Sequence, residues 1–144
     1  QSDGKEVQIL HLYPKNVCLG AGCRKRTPEE KIETQIRTYL SEAGISITQI
    51  LQAASIDLKK EEPGLLAFCE KYQIPFVTYS KEELERAEGT FTPSAFVSKI
   101  TGVDNVCERS ASLSSDGGAF IMRKQAAEGV TAACTIKKWS VNFE

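Results

Sequence analysis

Apolar positions along the chain alternate between a strand-like period of two and a helical period of 3.6. Thr27 is predicted to cap the first helix in a capping box with Glu30, with Pro28 at its first position and Gly44 beyond its last turn. The predicted strands cover residues 7–13, 16–19, 53–56, 74–79, 119–122 and 129–139. Further helices are predicted to begin near Ser46, Pro63, Ser80, Thr92 and Asp104.

The order of these elements predicts an α/β fold. Strands and helices alternate over the first two thirds of the chain, which is typical of a largely parallel sheet with helices on both faces. The last two strands have the spacing of a hairpin, which would add antiparallel edges. We therefore expect a three-layer α/β/α architecture with a mixed, largely parallel sheet.

Composition narrows the class of protein. The chain has 144 residues, enough for one domain, and a formal net charge of -1, so attraction to anions must come from local clusters. No apolar run approaches the roughly 20 residues of a membrane span, and aromatic and basic residues do not interleave as in an RNA-binding face. Five scattered cysteines are typical of free thiols in a reducing compartment. We expect a cytoplasmic protein that binds neither nucleic acid nor membrane.

The ends of the chain suggest a piece of a longer protein, since it begins at Gln1 and its one methionine is Met122. We expect residues 1–16 to form a strand at the tail of a preceding region. Residues 17–144 would then form the domain.

The stretch LGAGCRKRTPEE combines two glycines with three adjacent cations, Arg24, Lys25 and Arg26. It matches neither a dinucleotide-binding glycine motif nor a phosphate-binding loop of the Walker type, because Lys25 stands where each needs glycine. A strand, a small-residue loop and a helix start remain, and such a junction can bind an anion. The alternative is a solvated basic turn balanced by the acidic residues of the next helix, Glu29, Glu30 and Glu33.

Two later stretches carry candidate acids. In SIDLKKEEPGLL, Asp57, Lys59 and Lys60 follow a strand and are expected at the same sheet edge as Arg24. Asp57 would be a base or would orient a donor; the alternative is ordinary helix-start chemistry. Glu108 is either a ligand-facing acid or a surface helix charge.

Other kinds of chemistry have little support in the sequence. The one histidine, His11, lies in an apolar strand and suits a structural role, so a Ser-His-Asp site is not indicated. Cys23 beside Arg24 could have a lowered pKa and act as a nucleophile, although no base adjoins it. Cysteine spacing does not match a zinc site.

Several motifs in sequence order resemble one family. GAGCRKRTPEE, ASIDLKKEEPGLL, PSAFVSKITGVDNVCERSA and GVTAA resemble the C-terminal domain of the cobalt-precorrin-5A hydrolase family of cobalamin biosynthesis, over about residues 17–136. A small stand-alone relative of the aerobic pathway is also similar. The chain departs from the family pattern at Arg26, where glycine is usual, and in VCERSA, where two alanines are replaced.

The resemblance implies an α/β fold and hydrolysis of a lactone on an anionic cobalt-corrinoid intermediate, with release of acetaldehyde. Cobalt arrives with the substrate, so neither a protein-bound metal nor another cofactor is implied. Glu108 or Asp57 would activate water, and backbone N–H groups near Gly22 and Cys23 would hold the oxyanion. The residues implied to bind substrate are Gly20, Gly22, Cys23, Arg24, Lys25, Ser55, Lys59 and Ser94.

Two alternatives to this hydrolase remain at the level of sequence. The domain could instead hold or carry a corrinoid intermediate without catalysing its conversion. It could also mainly contact the remaining domains of a larger chain or other cobalamin-pathway enzymes, or form a dimer through its last strand, residues 131–139.

Overall fold

A five-stranded mixed sheet is the centre of the computed structural model, which describes residues 15–93 and 102–137. The strands are β1 (Val17–Cys23), β2 (Ile50–Ile56), β3 (Phe76–Tyr79), β4 (Phe120–Ala127) and β5 (Val130–Ile136), in the order β3-β2-β1-β5-β4. The first three are parallel, whereas β5 pairs antiparallel with both β1 and β4. The predicted α/β class and terminal hairpin are therefore confirmed. The strand predicted over residues 7–13 lies outside the described residues.

Helices cover both faces of this sheet, which confirms the three-layer prediction. They are α1 (Glu29–Glu42), α2 (Pro63–Lys71), α3 (Lys81–Glu85) and α4 (Val106–Ser114). Short 3-10 turns cover Ile47–Gln49 and Asp57–Lys59. The longest described helix, α1, has 14 residues, and no helix among the described residues is long and apolar enough to cross a membrane.

Alternate residues of β1 face the helix layers on the two sides of the sheet. Val17, Leu19 and Ala21 belong to the main core, which α1 and α2 complete on one face. On the other face α4 lies directly against the strand, because a Cβ at Gly20 would overlap the carbonyl oxygen of Cys107. Gly20 is thus needed for close helix packing.

Several helix and strand ends differ from the predictions. Thr27 does not cap α1: its hydroxyl donates to the Arg24 carbonyl, and Pro28 is the N-cap, without a side-chain hydrogen bond. Asn105, rather than Asp104, caps α4 by accepting from the Glu108 N–H. The predicted stop of α1 is confirmed, since Gly44 has φ +74° just beyond its C-cap.

The sheet order also bears on the predicted dimer. The last strand, β5, is paired on one side with β1 and on the other with β4. Its residues 130–136 therefore offer no free edge, so edge-to-edge strand pairing with a second copy is excluded for the described part of the strand.

The parallel strands define the edge of the sheet at which the candidate site residues lie. Because β1, β2 and β3 run in the same direction, their carboxyl ends share one edge of the sheet, which we call the carboxyl edge. Helices α1 and α2 begin there, directly after β1 and β2. The first turn of α4 overlies Gly20, while its last turn reaches Gln52 near the start of β2, through a 3.0 Å bond to Ser114 Oγ. The N-termini of α1 and α2 therefore adjoin the carboxyl edge.

Candidate functional site at the carboxyl edge

The three cations lie on a tight turn, which we call the cationic turn (residues 24–27). The Thr27 N–H and hydroxyl both donate to the Arg24 carbonyl, at 3.2 and 2.6 Å. Arg26 has φ +65°, in the left-handed region that favours glycine. The family's usual glycine at this position therefore has a conformational reason, and arginine keeps the same turn.

Arg26 provides a test of this backbone strain. We expect Arg26→Gly to be more stable than Arg26→Ala by about 1 kcal/mol, because a residue with a Cβ is disfavoured at positive φ. Both substitutions remove the same side chain, so the comparison isolates the backbone. Urea unfolding of the two variants measures it; equal stability would contradict the assigned strain.

Glu62 joins the cationic turn to the loop that follows β2. Its Oε2 accepts the Arg26 N–H at 2.7 Å, and its Oε1 lies 3.6 Å from Lys59 Nζ. The Glu62 side chain is 6% exposed and that of Lys59 15%. Lys59 is thus at the predicted edge but already paired. Glu62 was not among the predicted site residues, because its partner Arg26 is too distant along the chain for a local pattern to indicate.

The charged side chains of the cationic turn are accessible to a ligand. Arg24, Lys25 and Arg26 are exposed, and their side chains form no ion pair with any residue in 15–93 or 102–137. Glu33 is paired instead with Lys71, at 2.8 Å. Within the described residues, these cations therefore form no ion pair with the acids of α1, and the solvated basic turn stays an alternative.

Arg24 lies toward the β4–β5 hairpin. Its N–H donates to the Gly129 carbonyl at 3.0 Å, and a Cβ at Gly129 would come within 3.1 Å of Arg24 Cδ. Glu128 and Gly129 both have positive φ, at 55° and 77°, which is typical of a tight two-residue hairpin turn. The cationic turn is thus supported on one side by this hairpin and on the other by Glu62.

The predicted glycine loop is wrong in position. Gly20 and Gly22 lie within β1, where Gly22 pairs with Thr131 and Cys23 with Val130 of β5. A Cβ at Gly22 would come within 2.7 Å of Thr131 Oγ1. Both glycines relieve crowding around the strand, and the junction after it is formed by the cationic turn.

Cys23, the last residue of β1, does not have the environment of an activated thiol. Burial raises its pKa, and the nearby Lys59 charge opposes this only in part. Since the thiolate is the nucleophile, a raised pKa contradicts the hypothesis of a lowered one. The half-buried side chain packs against the main core.

Ser55 lies near the end of β2 and Asp57 lies just after it, and the two residues differ in exposure. Ser55 is fully buried and donates to the Ala21 carbonyl at 2.7 Å, so its hydroxyl links two strand ends. Asp57 is exposed and opens the 3-10 turn, whose Lys60 N–H donates to the Asp57 carbonyl at 3.0 Å. Asp57 is thus an accessible carboxylate at the carboxyl edge. The predicted binding residue Ser94 lies outside the described residues.

Glu108 is fully buried, and its carboxylate accepts five hydrogen bonds from residues within 15–93 and 102–137. Oε1 accepts from the Thr92 N–H at 2.7 Å, Asn105 Nδ2 at 3.0 Å and Arg123 Nη1 at 3.5 Å. Oε2 accepts from the Thr92 hydroxyl at 2.6 Å and the Lys124 N–H at 2.7 Å. This acid therefore connects α4, the segment before residue 94 and β4.

The Lys124 N–H is available to Glu108 because β4 is irregular at that point. The pairing with β5 shifts between Met122 and Gln125, as in a β-bulge. Burial by itself raises the pKa of Glu108, but the hydrogen bonds from Thr92 and Lys124, together with the Arg123 charge, outweigh it and hold the pKa below its ordinary value. A carboxylate so occupied is poorly suited to accept a proton from water. The surface-charge alternative is excluded as well.

Comparison with known proteins assigns this chain to a protein family. The sequence profile described as "Cobalamin synthesis G C-terminus" matches residues 17–135. The chain belongs to this family. Family members are thus expected to share the β1 to β5 sheet and its carboxyl edge, which both lie within the matched residues.

Two curated relatives are cobalt-precorrin-5A hydrolases. The one from Salmonella typhimurium is 34% identical over 119 residues, which cover 81% of this chain and 34% of that protein. The one from Priestia megaterium is 36% identical over 126 residues, covering 87% and 33%. The chain thus spans about a third of the length of these hydrolases.

A shorter relative is matched over about three quarters of its length. Protein CobE from Sinorhizobium sp is 32% identical over 117 residues, which cover 80% of this chain and 76% of that protein. A solved crystal structure of a CobE protein from the cobalamin (vitamin B12) biosynthetic pathway superposes with a TM-score of 0.77 at 26% identity, over 85% of this chain and 91% of that chain. The family fold therefore also occurs in a protein little longer than the domain.

Proposed function

We propose that this chain acts in cobalamin biosynthesis as the domain of a cobalt-precorrin-5A hydrolase that binds the anionic cobalt-corrinoid substrate at the carboxyl edge. The observation that carries the proposal is the exposed charge of Arg24, Lys25 and Arg26, which forms no ion pair within residues 15–93 and 102–137 and lies beside the N-termini of α1 and α2. Both features favour carboxylates, through charge-assisted hydrogen bonds and the positive end of the helix dipole.

The proposed reaction opens a lactone. Water attacks the lactone carbonyl carbon and the bond to the ring oxygen breaks, which gives a carboxylic acid and a hydroxyl group. Acetaldehyde then leaves by cleavage of the C–C bond between the hydroxyl-bearing carbon and the macrocycle: the hydroxyl loses its proton, and the macrocycle carbon keeps the electron pair and takes up a proton. Asp57 is the proposed general base, because its carboxylate is exposed at the carboxyl edge whereas that of Glu108 is buried and saturated. Glu108 would instead position Thr92 and α4.

Binding is tested by titrating the folded chain with cobalt-precorrin-5A and following visible absorbance. The double variant Arg24→Ala/Lys25→Ala is expected to bind about tenfold more weakly or worse, because two charge-assisted contacts are lost. Lys137→Ala is the matched control, since Lys137 is exposed just after β5, at the opposite edge beside Asn16. Equal affinity of the double variant and the wild type would overturn the proposal.

Catalysis is tested in the same mixtures by assaying acetaldehyde. Release by the wild type that is lost in Asp57→Asn, with binding retained, supports hydrolysis at this edge. Binding without acetaldehyde favours the second candidate, a corrinoid-binding or carrier domain. That candidate is supported by the match to most of CobE, which shows that the domain also occurs without the rest of the hydrolase.

A further inference from the structure

Leu58 is a large apolar side chain that the protein leaves in solvent. It is 59% exposed, more than the other exposed large hydrophobic residue of the described chain, Leu66, at 40%. It belongs to neither apolar cluster of the structure. A single exposed leucine is ordinary on a protein surface, so its position must decide whether it has a role.

The backbone presents Leu58 rigidly at the carboxyl edge. Leu58 is the middle residue of the 3-10 turn Asp57–Lys59, directly after β2. The Lys60 N–H donates to the Asp57 carbonyl at 3.0 Å, and the Glu62 N–H to the Lys59 carbonyl at 3.1 Å. Glu62 in turn holds the Arg26 N–H at 2.7 Å, which ties the turn to the cationic turn. A ligand contacting Leu58 would thus have little backbone to order.

Unpaired positive charge lies near Leu58, on both sides of which the acids Asp57 and Glu61 are also exposed. Lys60 is exposed and forms no ion pair within residues 15–93 and 102–137. The free cations Arg24 and Lys25 lie on the turn that Glu62 links to this one. Such a surface is complementary to a molecule with an apolar body and carboxylates around its rim.

We infer that Leu58 is the apolar contact for the ring of the corrinoid, while the neighbouring cations bind its peripheral carboxylates. This inference rests on the proposed function and adds what that proposal lacks, a means of distinguishing a macrocycle from any small polycarboxylate. Charge alone would bind both, whereas burial of Leu58 against the ring favours only the macrocycle.

Two probes separate the contributions of ring and charge. Cobyrinic acid is a cobalt corrinoid with free carboxylates, and 1,2,3,4-butanetetracarboxylate offers carboxylates without a ring. Leu58→Ser is expected to weaken cobyrinic acid binding about tenfold and to leave tetracarboxylate binding unchanged. Leu66→Ser, which removes the same side chain from the exposed face of α2, is the matched control and should change neither affinity by more than about twofold.

The outcomes distinguish this inference from the proposed function. If the wild type binds cobyrinic acid and Leu58→Ser binds it equally well, the role of Leu58 is overturned and the proposed function stands. If Leu58→Ser weakens both probes equally, the turn has been disturbed and the apolar contact is again overturned. If folded wild type, checked by circular dichroism, binds no corrinoid, both fall.

Discussion

Replacing Gly20 with alanine is expected to destabilise the protein severely. A methyl group at this position would overlap the Cys107 carbonyl oxygen and crowd the Ala111 N–H, both of them backbone atoms of α4. Backbone cannot move aside as a flexible side chain can, so α4 must shift off the sheet, at a cost of about 4 kcal/mol or more. That is a large part of the roughly 5–15 kcal/mol that stabilises an ordinary domain. Urea unfolding followed by circular dichroism measures it.

Gly22→Ala is the matched control for this experiment. The added methyl group meets only the Thr131 side-chain oxygen, at 2.7 Å. A side chain can rotate or be shortened, so Gly22→Ala should cost less, and Thr131→Ala should restore part of the loss. Similar stability of Gly20→Ala and the wild type would show that α4 does not pack on β1 as described.

Glu108→Gln is expected to destabilise the protein by about 3 kcal/mol. Each carboxylate oxygen faces at least one backbone or amide N–H, from Thr92 and Asn105 at Oε1 and from Lys124 at Oε2. Glutamine must place its NH₂ group against one of these donors, whichever way it is oriented. Glu85→Gln is the control, because Glu85 is exposed on α3. The midpoint of urea unfolding at pH 7 gives the comparison.

The pH dependence of stability provides an independent test of Glu108. Its pKa is lowered in the folded protein, so its carboxylate contributes stability above the unfolded value of about 4.5. That contribution is lost as the pH falls through the lower, folded value. Between about pH 5 and pH 3, stability of the wild type should therefore fall more steeply than that of Glu108→Gln. Parallel curves for the two proteins would contradict the assigned hydrogen-bond network.

The fold was largely predictable because its signals are local. The helix that begins at Pro63, the Ser80 capping box and the glycine after α1 are all coded within a few residues. The order of strands is not coded in this way. Nothing near β5 indicates that it inserts between β1 and β4, because that position depends on pairing with Val17–Cys23 at the other end of the described chain.

The location of the candidate site was also predictable from local signals. Which of its polar side chains are exposed and which are already hydrogen-bonded was not. Strand-to-helix junctions indicated the carboxyl edge, where Arg24, Lys25 and Asp57 are indeed exposed. Whether a polar side chain is free depends on partners far along the chain. Ser55 bonds to β1, and Glu108 to β4, and neither partner can be identified from the sequence near the residue itself.

The structural reason for a glycine is equally hard to identify from a single sequence. The letters GAG suggest a flexible loop, but the structure uses both glycines inside a strand because α4 and Thr131 approach them closely. A glycine required by a neighbour and one required by a turn look alike in a single sequence. At position 26 the reverse occurs, since a turn that favours glycine is occupied by arginine.

The position of β5 inside the sheet, between β1 and β4, has a consequence for the order in which the protein folds during synthesis. Strand β1 must wait for residues 130–136 before its second edge is paired, so a nascent chain that has emerged only as far as α4 exposes an open strand edge. Contacts of such long sequence separation slow folding. Until β5 arrives, the growing chain is thus open to mispairing with other strands, and chaperone binding during that interval would protect it.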